Sequence, residues 1–179
     1  MFIYKDILMR LIENNDFDIE YLINLRSYPD IWMNLGNIKM LNRHIEEKWF
    51  KKIIEDDSQN YYIIYDIKNK CNIGLLRTDQ IDFINRSVRV GCDIHPSFHS
   101  KGYGFKSICM IIKYFFDYYN MNRIWLMVIE TNTKALNLYK KVGFVEEGRQ
   151  RNAIYRNGIY NDYIMMGILR NDNSYKYIK

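Results

Sequence analysis

The chain is sparing with the residues that staple, break or anchor a fold. Its 179 residues include three cysteines, two prolines and three histidines. Cys71, Cys92 and Cys109 are odd in number, and no two stand in a C-x-x-C spacing. That excludes a disulfide framework and a zinc-type thiolate site, and it leaves free thiols in a reducing compartment as the expectation. No metal site is expected. No apolar run of about 18 residues occurs, so no membrane span is expected. The opening Met1-Phe-Ile-Tyr-Lys-Asp6 lacks a long apolar stretch and does not read as a signal segment, so the expected location is cytoplasmic. The prolines, Pro29 and Pro96, do not cluster into a linker. The expectation is one domain over residues 1–170 and a polar tail over 171–179.

Hydrophobic residues make up 48% and charged residues 26%, which describes a globular chain. The net charge is +5. A mildly positive field suits a polyanionic ligand such as a nucleotide cofactor, and equally a nucleic acid or an excess spread over solvated faces.

Pattern along the chain predicts a first strand over 2–12, then a helix over about 19–28 capped by Asp18 and ended by Pro29. A second helix over 43–56 starts at Asn42, with Ile45, Trp49, Phe50, Ile53 and Ile54 on a helical period. Strands follow at 61–67, 72–79 and 87–94. A long amphipathic helix is expected over 102–119, a buried strand over 123–129 and a helix over 133–141 stopped by Gly143. Two last strands, 144–151 and 160–169, flank a turn at Arg156-Asn157-Gly158. The order β-α-α-β-β-β-α-β-α-β-β implies a mixed α/β (α+β) sheet with helices on both faces.

The segment from Val88 to Phe105 carries chemistry. A strand ends near Ile94, and Gly102-x-Gly104 opens a helix. Backbone N–H groups at such a helix start, with the helix dipole, form an anion site. Glu130-Thr-Asn-Thr-Lys-Ala-Leu-Asn-Leu-Tyr-Lys-Lys-Val-Gly-Phe144 follows about thirty residues later.

These two segments resemble the GNAT superfamily of acetyltransferases. The phosphate loop stands as His99-Ser-Lys-Gly102-Tyr-Gly104, and the second motif as Asn132, Ala135, Tyr139, Gly143 and Phe144. The resemblance covers roughly residues 60–170 and implies a mixed sheet of six to seven strands and acetyl-CoA as cofactor. It implies that His99, Ser100, Lys101, Gly102, Tyr103, Gly104 and Phe105 bind the pyrophosphate, largely through the main chain. Asn132 and Ala135 would border the pantetheine arm. Tyr139 would return a proton to the leaving thiolate, and the main chain at Ile94 would hold the thioester carbonyl on a bulged strand with a splayed neighbour.

The family often carries a glutamate base where this chain has Arg89, which cannot take a proton. Alternation places Arg89, Gly91 and Asp93 on one face. Asp93 is therefore a candidate base and substrate contact, against the alternative of an ion pair with Arg89 or a neighbouring strand. Glu130, His95 and bulk water are the other candidates. Cys92 on an apolar strand is expected to be inert, so transfer would be direct.

The segment from Gly148 to Tyr163 is similar to the branch that acetylates ribosomal-protein N-termini, polyamines and amino sugars. Acceptor contacts are expected at residues 28–45, notably Trp32 and Asn34, alongside Asp30, Asn37, Asn42, Arg43 and His44. The region is poor in acids, which disfavours a polyamine and suits an amino sugar, including a nucleotide-linked one. A protein N-terminus stays open. No nucleic-acid or membrane partner is expected, and a homodimer is admitted. The competing readings are a nucleic-acid-binding module and a non-catalytic acyl-CoA-binding member of the fold.

Overall fold

The computed structural model describes residues 1–36, 42–56 and 58–172. Asn37 and the tail from residue 173 lie outside them, and the Ile54 side chain is not described. The strands are β1 (Phe2–Tyr4), β2 (Ile7–Leu11), β3 (Asn60–Asp66), β4 (Cys71–Asp82), β5 (Ser87–Ile94), β6 (Arg123–Ile129), β7 (Val145–Arg156) and β8 (Ile159–Leu169). The helices are α1 (Asp16–Ser27), α2 (Pro29–Trp32), α3 (Arg43–Ile54), α4 (Tyr103–Lys113) and α5 (Thr133–Val142). All eight strands form one sheet in the order β1-β2-β3-β4-β5-β6-β8-β7.

The eighth strand corrects the expected six to seven. Residues 2–12 fold as a hairpin, because Lys5 takes a left-handed turn with φ of 55° and pairs Tyr4 with Ile7. No glycine or asparagine marks that turn in the sequence. Asp18 does not cap α1. Asn15 does, its side chain accepting from the Asp18 N–H at 2.9 Å. Asp18 is fully buried one turn in, where it accepts from the Arg10 guanidinium at 2.7 and 2.5 Å and from the Glu13 N–H at 2.8 Å. Asn42 caps α3 as expected, accepting from the Ile45 N–H at 2.9 Å.

Apolar side chains fill two layers. On one face Ile108, Met110, Ile111 and Ile112 of α4 and Tyr139 and Val142 of α5 pack on Ile64, Leu76, Val90, Leu126 and Met166. On the other, Ile19, Leu22 and Leu25 of α1, Ile31 of α2 and Phe50 of α3 cover Ile63 and Leu75. Each such aliphatic or aromatic side chain contributes about 1.5–3 kcal/mol on burial. The expected helix 102–119 is α-helical only to Lys113, and residues Tyr114–Tyr118 form a π turn. The wider turn lets the adjacent Phe115 and Phe116 both face inward, while Tyr114 and Tyr118 pack on Phe2 at ring distances of 5.2 and 5.3 Å.

The parallel junction in the centre positions the site. β5 pairs with β6 only at Ser87, Val88 and Arg89. Its other edge stays paired with β4 from Arg89 to Ile94. Beyond Arg89, therefore, β5 and β6 part and leave a gap. The splay matches expectation, but the bulge does not lie on β5. The register shifts on that side belong to β4, near Ile73 and at Asp79–Asp82.

Asp18→Ala removes a fully buried carboxylate that joins the half-buried Arg10 guanidinium to the Glu13 N–H, and should lower stability by about 1–3 kcal/mol. Chemical denaturation of the two proteins measures it, and a loss below about 1 kcal/mol would show that Arg10 finds water instead.

Candidate active site

The gap is lined by main-chain donors whose direction follows from one hydrogen bond. The His95 N–H donates to Ile73 O on β4 at 2.9 Å. Donors alternate sides along a strand, so Asp93 and Gly91 also face β4, and the N–H groups of Cys92 and Ile94 point into the gap. The Ile94 carbonyl, on the same edge, accepts from His99 Nε2 at 2.7 Å. A carbonyl only accepts, so this His99 nitrogen carries the proton. His99 thus fastens the loop to the end of β5.

The loop then turns into α4 through two left-handed residues, Ser100 (φ 59°) and Gly102 (φ 82°). The first intrahelical bond is Lys106 N–H to Gly102 O at 3.1 Å, so the N–H groups of Tyr103, Gly104 and Phe105 lie ahead of it without an intrahelical acceptor. A Cβ on Gly102 would meet nothing within 4 Å, so the turn is open at that point. The glycines serve different ends. Gly102 supplies the positive φ. Gly104 lets α4 approach α5, since a Cβ there would sit 3.1 Å from Leu138 and 3.8 Å from Ile94.

Side chains around this loop are mostly engaged. Tyr103 donates to Asp66, Lys106 pairs with Asp6 at 2.6 Å, and Lys101 donates to Ser97 O at 2.8 Å. They anchor the loop, while its main chain is left to face a ligand. Burial pushes the Asp66 carboxyl up, but the Tyr103 hydroxyl and the Asn69 donors outweigh that and hold it at about 2.

On α5, Asn132 is the helix cap, accepting from the Ala135 N–H at 3.1 Å. Gly143 (φ 115°) closes the helix, and the Phe144 N–H returns to Tyr139 O at 3.0 Å. That turn seats the Phe144 ring 5.7 Å from the Tyr139 ring. Tyr139 is buried. Burial pushes its phenol well above the ordinary value, Cys92 and Asp93 add to this, and Arg77 opposes it. The phenol is therefore protonated across the working pH range and is electrostatically coupled to β5 across the gap. Burial likewise pushes the Cys92 thiol up, which keeps it from being a thiolate.

The candidate bases are all occupied. Asp93 pairs with Arg77 of β4 at 2.5 Å, not with Arg89, which pairs with Asp79 at 2.5 Å. Glu130 accepts from the Asp162 N–H at 2.9 Å and faces Arg149 at 3.6 Å. His95 packs edge-on to Tyr28 at 4.7 Å, and its Nδ1 accepts from the Ser97 N–H at 3.2 Å. Burial, with His99 nearby, lowers its pKa, so the ring is neutral with its accepting nitrogen already in use.

Arg77 was not evident from the sequence. It lies on the guanidinium seat that Gly91 leaves open, for a Cβ at Gly91 would come within 2.5 Å of Arg77 Nε. Arg77 also lines a cleft of about 480 Å³ with Arg26, Trp32, Glu46, Trp49 and Tyr61. Trp32 reaches this cleft as expected, whereas Asn34 folds back to donate to Asp30 O at 2.8 Å. Arg43 ties α3 to α1 through Asp16 and Glu20. The β7–β8 hairpin closes over the cleft's loop, Arg156 donating to Met33 O at 2.9 Å and to Leu35 O. Fully buried Glu46 pairs with Arg26 at 2.9 Å, and burial raises its pKa despite that partner. The only sequence signal for Arg77 is a charge following Leu75 on the helix-covered face of β4.

Residues 6–145 match the acetyltransferase (GNAT) domain family. The chain belongs to that family. It is an N-acetyltransferase, with acetyl-CoA as its acetyl donor. It is 33% identical over 151 residues to a spermidine N(1)-acetyltransferase of Vibrio cholerae, covering 76% of this chain and 84% of the relative. A putative ribosomal N-acetyltransferase of Bacillus subtilis is 24% identical, over 94% of this chain and 93% of that one. The crystal structure of the Vibrio cholerae spermidine N-acetyltransferase in complex with CoA and spermine superposes with a TM-score of 0.84 at 28% identity, over 93% of this chain and 97% of that one.

In this GNAT acetyltransferase, Gly102→Ala forces a Cβ into the left-handed region at a cost of roughly 1–2 kcal/mol. Calorimetric titration should show CoA affinity falling by up to about tenfold. Unchanged affinity would mean that the loop's amides do not hold the pyrophosphate.

Proposed function

We propose that the enzyme acetylates the primary amine of a small molecule such as an amino sugar, free or nucleotide-linked, or of a protein N-terminus, by direct attack. The observation that carries the reading is the Arg77–Asp93 pair at 2.5 Å, which joins the cleft lined by Arg77 to β5, the strand whose other edge parts from β6. Bound acetyl-CoA supplies the acetyl group as a thioester. The Cys92 and Ile94 N–H groups present two fixed donors to an oxygen that gains negative charge. Tyr139 holds a proton for the departing sulfur. Because burial makes this phenol a weaker acid, its transfer needs the sulfur to be taking up negative charge at the same time. Asp93, already bound by Arg77, orients the amine and receives its proton directly or through water by giving up part of that pair. No cysteine is placed to form an acyl-enzyme.

The cleft supports an acceptor that is not a polycation. Arg26, Lys48, Lys52 and Arg77 line it against Glu46 alone. Trp32 and Tyr61 offer aromatic lining for a ring, while a face of Trp49 is covered by the Arg26 guanidinium 3.9 Å from its centroid. A second reading, acetylation of a polyamine, is favoured by the names of the spermidine-acetylating relatives. A related spermidine N-acetyltransferase of Vibrio cholerae is dodecameric, at a TM-score of 0.77, and supports self-association here. Among the described residues no helix is long and apolar enough to cross a membrane, and a cytoplasmic setting fits the free thiols.

Tyr139→Phe should lower kcat by about 10²-fold or more, the usual worth of a positioned acid, while CoA affinity stays within about threefold. Retention of the full rate would remove Tyr139 from the chemistry. A thiol-release screen of amino sugars, sugar nucleotides, peptides and polyamines tests the acceptor. Spermidine is expected to give a kcat/KM at least tenfold below the best acceptor. Spermidine emerging as the best acceptor would replace this reading with the second.

A further inference from the structure

The charges in the acceptor cleft do not balance, and the imbalance is local. Arg26 is neutralised by Glu46 at 2.9 Å and Arg77 by Asp93 at 2.5 Å. Lys48 and Lys52 line the same cleft, are exposed, and form no ion pair among the described residues. They stand one helical turn apart on α3, hence on one face, with Cβ atoms about 5–6 Å apart. Two like charges at this spacing repel each other. Lys52 in the last turn is favoured by the helix dipole, but Lys48 lies a turn earlier, where the dipole gives it no support. Trp49 follows Lys48 directly and lines the cleft, its ring 4.9 Å from that of Tyr61 and under the Arg26 guanidinium at 3.9 Å. The cleft thus has a cationic mouth at Lys48 and Lys52, whose nearest charge partner among the described residues is Asp56 beside Lys52, an aromatic lining, and at its Arg77 end a cation already paired with Asp93.

We propose that the acceptor amine carries a phosphoryl group, which Lys48 and Lys52 bind while the aromatic lining holds its body and its amine reaches Asp93. This rests on the reading of the cleft as the acceptor site, and it narrows the acceptor to phosphorylated or nucleotide-linked amines. A dianion between the two lysines relieves their repulsion, and the span to Arg77 fixes which amine of the ligand reaches the gap. A polyamine would instead bring a cation to the lysines at the mouth.

The full-length enzyme saturated with CoA is titrated with glucose 1-phosphate, which has no amine, with glucose, and with inorganic phosphate. Tryptophan fluorescence provides the readout. Glucose 1-phosphate should bind at least tenfold more tightly than either of the others. The double variant K48Q/K52Q should lose that advantage while keeping the same melting temperature and CoA affinity. In turnover, glucosamine 1-phosphate should exceed glucosamine in kcat/KM by tenfold or more, and the double variant should erase the ratio by acting on the phosphorylated acceptor alone. Equal binding of glucose and glucose 1-phosphate overturns the proposal, as does a double variant that keeps the preference. Inorganic phosphate competing as well as the sugar phosphate also overturns it, as a site for free anions. If amines are acetylated but phosphate brings no preference, the acetyltransferase reading stands and this one falls. If no amine in the screen is acetylated, the acceptor reading falls, and the fluorescence titration still decides the phosphoryl site.

Discussion

The structure depends on a pairing that stops early. β5 and β6 share parallel bonds at only three residues, Ser87 to Arg89, and then diverge. Edge amides that would have been satisfied by β6 are left facing a gap in the middle of the sheet. An unpaired strand edge is usually a liability. Here it is enclosed by α4 on one side and α5 on the other, so the donors of Cys92 and Ile94 are available to a ligand and closed to another strand. The loop after β5 is fixed by His99 on the Ile94 carbonyl, and α4 and α5 meet through Gly104. The phosphate-binding turn, the open strand edge and the Tyr139 phenol therefore form one rigid unit.

The acceptor side is organised by charge. Gly91 leaves room for the Arg77 guanidinium, which places a cation over the strand and holds Asp93. Arg89, in the place where relatives often carry a glutamate, is held by Asp79 and takes no part. The Asp93 carboxylate is thus not free but held in position by a neighbouring arginine. The second buried pair, Arg26 with Glu46, fixes α1 against α3 and shapes the same cleft.

The turn into α4 and the cap and stop of α5 are legible in the sequence because their signals are local. A strand end, a glycine-opened helix and the run from Asn132 to Phe144 each carry their geometry within a dozen residues. The turn at Gly143 that folds Phe144 onto Tyr139 is written in three adjacent positions. The acceptor half was not legible in the same way. Arg77, Glu46 and Tyr61 lie on separate elements, and nothing in their spacing says that they converge. Trp32 lines the cleft, and Asn34, two residues on, turns back to donate to the Asp30 carbonyl of α2. The first hairpin was missed because Lys5 adopts a left-handed turn without the usual glycine. The cap of α1 was misplaced because Asp18 has a stronger claim as the buried partner of Arg10.

The sequence by itself determined most of the elements after residue 60, with the glycine-opened turn and the phenol-bearing helix among them, since short-range capping, glycine conformations and apolar periodicity dictate them. Only the tertiary structure decided which carboxylates are engaged, which arginine holds Asp93, and which cations line the acceptor cleft. Those outcomes depend on side chains from distant strands and helices meeting across the sheet, where pairing partners are chosen by packing and burial rather than by neighbours along the chain.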